Sequence, residues 1–263
     1  MPHEDTARSP AGAGSLTKLM MNRNEEPRTY RKIFKSGDLT YFTVKVKQTD
    51  LCIGATTDIR KQAEQSVCKY RQQVEEYIRR QPVFLHSLVP IEPLQDAPEI
   101  VHHMCRAAQV AGVGPMAAIA GAVSMYVSYD LAPLSQELMI ENGGDLYIAG
   151  RKERIAGIYA GASPLSYKIG LRLSPEELPM AICTSSGTVG HSLSFGRTDA
   201  AVILSKDACL ADAAATALGN LVRTADDIEP ALEKIQTIKG ISGALVIMGS
   251  SMGAWGGIKL VKL

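Results

Sequence analysis

The chain has 263 residues, 46% of them hydrophobic and 21% charged, and a formal net charge of +1. That is room for one large domain or two modest ones and enough apolar material for a sizeable core, which excludes a globally disordered chain. No Lys/Arg block stands beside an aromatic stripe, so no nucleic-acid partner is expected.

Five cysteines, Cys52, Cys68, Cys105, Cys183 and Cys209, are odd in number, widely spaced and without a CxxC pair. They read as reduced, mostly buried thiols of a cytoplasmic protein. Residues 1–28 mix Pro, Gly, Ser and both charge signs without periodicity, so a flexible N-terminal arm is expected there, with no apolar core of a signal peptide. The rest, 29–263, is expected to form a single α+β domain, with a sub-lobe boundary near 90–98 in the Pro-rich connector "PIEPLQDAP".

In chain order, "LTYFTVKVKQTDLCIGA" predicts two strands, because Phe42, Val44 and Val46 alternate with Thr43, Lys45 and Lys47. Thr57-Asp58 can cap the next helix, whose apolar stripe is Ile59, Ala63, Val67, Tyr70, Val74 and Tyr77, and Pro82 stops it. A helix from about Pro98 to Ala111 ends at Gly112. Pro115 then opens the apolar helix "PMAAIAGAVSMYVSY". Its Ala117, Ala118, Ala120, Gly121 and Ala122 allow close backbone approach, and its length falls short of the ~20 residues of a membrane span, so no membrane partner is expected. From Leu134 the pattern turns to strands: the hairpin "ELMIENGGDLYIA", then "RIAGIYAG", "YKIGLRLS", "PMAICTS" and "AAVILS". "DAAATALGNLV" and "IEPALEKIQTI" read as helices, and the remainder as a closing hairpin. This order suits an α+β fold rather than regular βαβ alternation.

Four stretches depart from ordinary core and surface pattern. Gly114 and Pro115 open a helix, where unpaired N–H groups suit a phosphate, although the same residues serve a plain tight turn. Asn142, Gly143, Gly144 and Asp145 are the residues of a two-residue hairpin turn, yet bare backbone between two acids also lets a ligand come close. Ser185, Ser186 and Gly187 begin a segment dense in small hydroxyls that reaches His191, which can meet a ligand oxygen, move a proton or play a structural part. Asp212 and Thr216 are four apart on one helix face, an oxygen-donor pair for a hard cation such as Mg²⁺; the plainer alternative makes Asp212 an N-cap.

Taken in order, "GVGPMAAIAGA", "IENGGDLYIAG", "SSGTVGHS" and "ADAAATALGN" resemble the ApbE family of FAD-dependent flavin transferases over about residues 105–225. The chain looks closest to a cytoplasmic, uncharacterised branch of it. The resemblance implies a T-fold-like α+β body with mixed or antiparallel sheets and packed helices. It also implies FAD as cofactor, Mg²⁺ held by Asp212 and Thr216, and His191 near the pyrophosphate as a catalytic candidate. By the same resemblance the flavin nucleotide lies near Asn142, Gly143, Gly144 and Asp145, and the phosphate-suited Gly114, Pro115, Ser185, Ser186 and Gly187 are further cofactor-binding candidates. Two positions depart from the family pattern: "AAIAGAV" lacks its lysine, and Ser192-Leu193-Ser194 replaces the acid and proline after the histidine. Three readings follow: a flavin- or nucleotide-binding protein without transfer activity, a Mg²⁺-dependent FMN transferase acting on Ser or Thr of a target protein, and a homo-oligomer, such as a homodimer, whose function lies in its interface.

Overall fold

A computed structural model of the chain describes residues 31, 36–187 and 196–263; the N-terminal arm expected over 1–28 lies outside them. Eight strands form one antiparallel sheet in which spatial order follows chain order: β1 (Thr40–Val46), β2 (Thr49–Ala55), β3 (Leu138–Asn142), β4 (Asp145–Ala149), β7 (Met180–Ser185), β8 (Ala200–Ser205), β9 (Ile241–Met248) and β10 (Ser251–Gly256). The two strands missing from that series, β5 (Arg154–Gly157) and β6 (Ile169–Leu173), build a second antiparallel sheet with β11 (Leu260–Lys262). The end of the chain is thus a hairpin plus one strand that crosses to the other sheet, where a single closing hairpin was expected.

Alternation along each strand explains the layering, because successive side chains point to opposite faces. One face carries Leu51, Ile53, Leu138, Ile140, Tyr147, Ala181, Cys183, Ala201, Ile203, Ala244 and Val246 and packs against helices. The other carries Cys52, Met139, Leu146, Ile148, Ile182, Val202, Leu204, Leu245 and Ile247 and packs against Ala156, Leu171 and Leu173 of the small sheet. Asn142 and Asp145 share the pleat direction of Ile140 and Tyr147, so the sequence pattern sends both toward the helices.

The helical layer is inserted at two points of the meander. Between β2 and β3 come α1 (Arg60–Arg80), the short α2 (Val83–His86), α3 (Glu99–Ala111) and α4 (Ile119–Leu131); between β8 and β9 come α5 (Ala208–Leu221) and α6 (Ile228–Ile235). In α1 the stripe Ala63, Val67, Tyr70, Val74 and Tyr77 is buried as its spacing requires. Asp58 Oδ1 accepts the Arg60 N–H at 3.0 Å, although the capping position itself is Ile59. Gly112 ends α3 in the left-handed conformation at φ 72°. The helix expected to begin at Pro115 is split: Pro115–Ala118 winds as a 3₁₀ turn before α4 starts at Ile119. No single helix among the described residues is long and apolar enough to cross a membrane.

Candidate functional site

The β3–β4 hairpin turns on Gly143 and Gly144, at φ 68° and 109°, which a side-chain-bearing residue rarely adopts. Asn142 and Asp145 are paired across it. Glu141 points to the opposite face, where its Oε1 accepts the Gly144 N–H at 3.0 Å and its Oε2 accepts Arg31 Nε at 2.6 Å. The two acids flanking the glycines therefore play different parts. Glu141 braces the turn, and Asp145 faces the helices.

On that face four segments meet. Asn142 Nδ2 donates to the Ala120 carbonyl at 3.2 Å. The next N–H, that of Gly121, donates to Asp212 Oδ2 at 2.9 Å. The Thr184 N–H donates to Asp145 Oδ1 at 2.9 Å. The Asp145 and Asp212 carboxyls hydrogen-bond one another, and the Cys183 thiol also reaches Asp145. Two carboxyls so close and so little hydrated hold their protons far above the usual carboxylate range. Burial pushes Asp145 up to about 7, against the stabilising N–H of Thr184. Burial and the adjacent Asp145 charge raise Asp212 well above its ordinary value, against the N–H of Gly121.

Close packing makes this junction. A Cβ on Gly121 would stand 2.2 Å from the Ala208 carbonyl oxygen and 2.9 Å from Asp212 Cβ, so only glycine lets α4 lie this near α5. The cap of α5 is Asp207, whose side chain accepts the N–H groups of Cys209 and Leu210. Asp212 sits in the second turn, which removes the N-cap alternative for it. Thr216 follows one turn later on the same face, half-buried.

Ser185 ends β7 beside Ala201 of β8, and the Gly187 N–H donates to the Thr198 carbonyl at 2.9 Å. Gly196 is pressed against α5, where a Cβ would lie 1.7 Å from the Gly219 carbonyl oxygen. The two ends of this segment are therefore pinned together against α5. The buried hydroxyls of Ser185 and Thr198 find no partner among the described residues. His191 lies outside the described residues.

The remaining predicted pair is Gly114 and Pro115. Gly114 packs its bare Cα on the backbone of Ser87 and Leu88, where a Cβ would meet the Ser87 carbonyl oxygen at 1.8 Å, and Pro115 is buried. Within that stretch it is Ala120 and Gly121 that reach the acids. The row of small residues in "AAIAGA" signalled a close approach; what the sequence left unstated is that the peptide units of Ala120, Gly121 and Thr184, together with the Cys183 thiol, would supply the partners.

All the donors at this point apart from the thiol are oxygens: two carboxyls, the Thr216 hydroxyl one turn on, and nearby carbonyls. That set fits a hard divalent cation, whose charge would favour both carboxyls in their ionised form.

This fold, an antiparallel sheet covered by helices on one face and by a small sheet on the other, superposes on solved ApbE structures. The chain superposes on the apo form of the Pseudomonas stutzeri enzyme with a TM-score of 0.55 at 14% identity, covering 82% of this chain and 94% of that one. With the ApbE protein of Thermotoga maritima the TM-score is 0.59 at 10% identity, covering 82% and 96%. The family model described as "AbpE bacteria" matches residues 31–254, and the chain belongs to that ApbE-like family. Its relatives include UPF0280 proteins of Methanocaldococcus jannaschii, 42% identical over 208 residues (77% of this chain, 84% of the relative), and of Methanococcus aeolicus, 41% identical over 206 residues (76% and 83%).

Proposed function

We propose that the protein binds a flavin nucleotide, FAD in the first instance, together with a divalent cation such as Mg²⁺. The cation is held by Asp212 and Thr216 with Asp145 behind them. The nucleotide lies between the Asn142–Asp145 turn and the Ser185–Gly187 segment. The observation that carries the reading is the carboxyl pair. Burying two acids against each other is costly unless their charge is neutralised. Here backbone N–H groups fix both acids in place, as befits a preorganised cation site.

A bound cation would supply charge neutralisation between phosphate oxygens. The chain's own groups would do the rest. Gly121 N–H orients Asp212, Thr184 N–H orients Asp145, and the two glycines of the turn leave room for a flat ligand to approach.

Transfer is a second reading, favoured by the same oxygen-donor set. In it a Ser or Thr hydroxyl oxygen of a target protein bonds to the FMN phosphorus as the pyrophosphate P–O bond breaks, AMP leaves with the electron pair, and the hydroxyl proton passes to water. The missing lysine in "AAIAGAV" and the missing acid after His191 place this reading behind simple binding. Equilibrium dialysis with FAD, with and without Mg²⁺, tests the main reading. Binding that requires the cation and disappears in Asp212→Ala supports it; no binding at high micromolar FAD with Mg²⁺ present overturns it. Chromatography for AMP after adding a Ser/Thr-containing flavinylation substrate decides the second.

A further inference from the structure

Away from the carboxyl pair, at the start of α5, three different metal-ligating groups come together. The His103 ring, from α3, the Asp207 carboxylate and the Cys209 thiol offer ligand atoms that all lie within 4.8 Å of one another. His103 Nε2 is 2.8 Å from Asp207 Oδ2, and His103 Nδ1 is 3.3 Å from the Tyr126 hydroxyl on α4. The other carboxylate oxygen, Oδ1, is committed to capping α5 through the Cys209 and Leu210 N–H groups. The histidine and the carboxylate are thus each held by one atom and present another, imidazole Nε2 and carboxylate Oδ2, to the point that the thiol Sγ also reaches.

We propose that His103, Asp207 and Cys209 form a second metal site, selective for a borderline divalent transition metal such as Zn²⁺, with one coordination position left to water or a ligand. The donor chemistry separates it from the Asp212 site. An N/O/S set suits Zn²⁺ and disfavours Mg²⁺, which prefers oxygen alone. Geometry allows it. Tetrahedral coordination at Zn–N and Zn–O of ~2.0–2.1 Å and Zn–S of ~2.3 Å needs ligand atoms about 3.3–3.6 Å apart. The His103–Asp207 contact opens by roughly half an ångström and the thiol closes by at most about 1.3 Å, movements within side-chain rotation. Access is also graded. The Asp207 and His103 side chains are 38% and 21% exposed, while Cys209 is buried, so a metal enters past the first two and meets the thiol at the floor. The Tyr126 hydroxyl behind Nδ1 is the kind of outer partner that fixes the ring of a ligating histidine.

A hydrogen-bonded cap explains the His103–Asp207 contact but asks nothing of a thiol at that point. Asp207, the cap of α5, and Asp212 are five positions apart, about 7.5 Å of helical rise, so the two sites are distinct neighbours, with the Asp212 charge felt at the Cys209 thiol.

The test uses the full-length, metal-free protein carrying Cys68→Ser, which removes the exposed thiol. Titration with Co²⁺ is followed through the thiolate-to-cobalt charge-transfer band, and Zn²⁺ is then used to displace it. The proposal expects one equivalent of Co²⁺ to raise the band, Zn²⁺ to abolish it, Cys209→Ser to eliminate it and His103→Gln to weaken binding by more than about tenfold. Asp212→Asn leaves it in place, so loss of the Mg²⁺ site and loss of this one are told apart. A band that fails to form, or that survives Cys209→Ser, overturns the proposal. Should Cys209→Ser fail to fold, His103→Gln decides, since unchanged Co²⁺ affinity in that variant, altered at a partly exposed position, overturns it equally.

Discussion

Replacing Asp212 with Asn should make the metal-free protein more stable at pH 8 while removing its Mg²⁺ response. In the folded chain Asp145 is pushed up to about 7, against 3.8 for a free carboxyl, and Asp212 is raised as well. The folded state therefore binds more protons than the unfolded state between about pH 4 and pH 7, and stability falls as pH rises through that window. For Asp145 the shift of about 3 units corresponds to at most about 4 kcal/mol. Burial, which remains in the variant, is the larger part. The proton that folding must load onto Asp212 is no longer needed: the introduced carboxamide keeps an oxygen for the Gly121 N–H and turns an amide donor toward Asp145, as the protonated Asp212 does. A gain of about 1–2 kcal/mol at pH 8 follows, or about 2–8 °C in Tm at about 2–4 °C per kcal/mol for a domain of this size, with little change at pH 5. Mg²⁺ at about 100 times its Kd should add about 2.7 kcal/mol to the wild type at pH 8 and nothing to the variant. Thermal melts at the two pH values, with and without Mg²⁺, measure all of this. A variant that melts at or below the wild type at pH 8, while matching it at pH 5, refutes the reasoning.

Gly121→Ala should cost about 1–3 kcal/mol, because its Cβ meets the Ala208 carbonyl at 2.2 Å and neither helix backbone can rotate away; urea melts read the cost, and Mg²⁺ binding should fall with it. Glu137→Ala leaves the buried Arg154 guanidinium without its 2.7 Å partner and frees the Arg151 N–H, so about 3–5 kcal/mol should be lost in the same assay, with Asp38 holding part of the charge. Asp207→Ala removes two capping bonds of α5, at 2.9 and 3.2 Å, and should cost about 1–2 kcal/mol in the metal-free protein.

Much of the fold was legible because period and punctuation agree. The alternation around Phe42 and Val44, the spacing in α1 and the glycine at 112 each state one local conformation, and tertiary packing leaves it unchanged. Legibility failed where a choice depended on partners distant in sequence. Nothing local to "IKLVKL" says that β11 leaves its hairpin for β6, since that pairing is decided by Gly170 and Leu171, far earlier in the chain. Likewise the 3₁₀ winding at Pro115–Ala118 goes with the packing of Gly114 on Ser87, which α2 brings there.

The same distinction orders the candidate site. Asn142, Asp145 and Asp212 were singled out by residue type, and a side chain's chemistry is visible in a sequence. The groups that fix them are mostly peptide N–H and C=O, which every residue carries and no motif advertises. Their positions depend on how near two backbones come, and that depends on what is missing from a residue: the Cβ of Gly121. The run of small residues from Ala117 to Ala122 is therefore as much a part of the acid cluster as the acids. A side chain added there should act on cation binding through the backbone, without changing a single ligand, and Gly121→Ala separates this from a ligand effect, because it lowers both stability and Mg²⁺ affinity whereas Asp212→Asn trades one for the other.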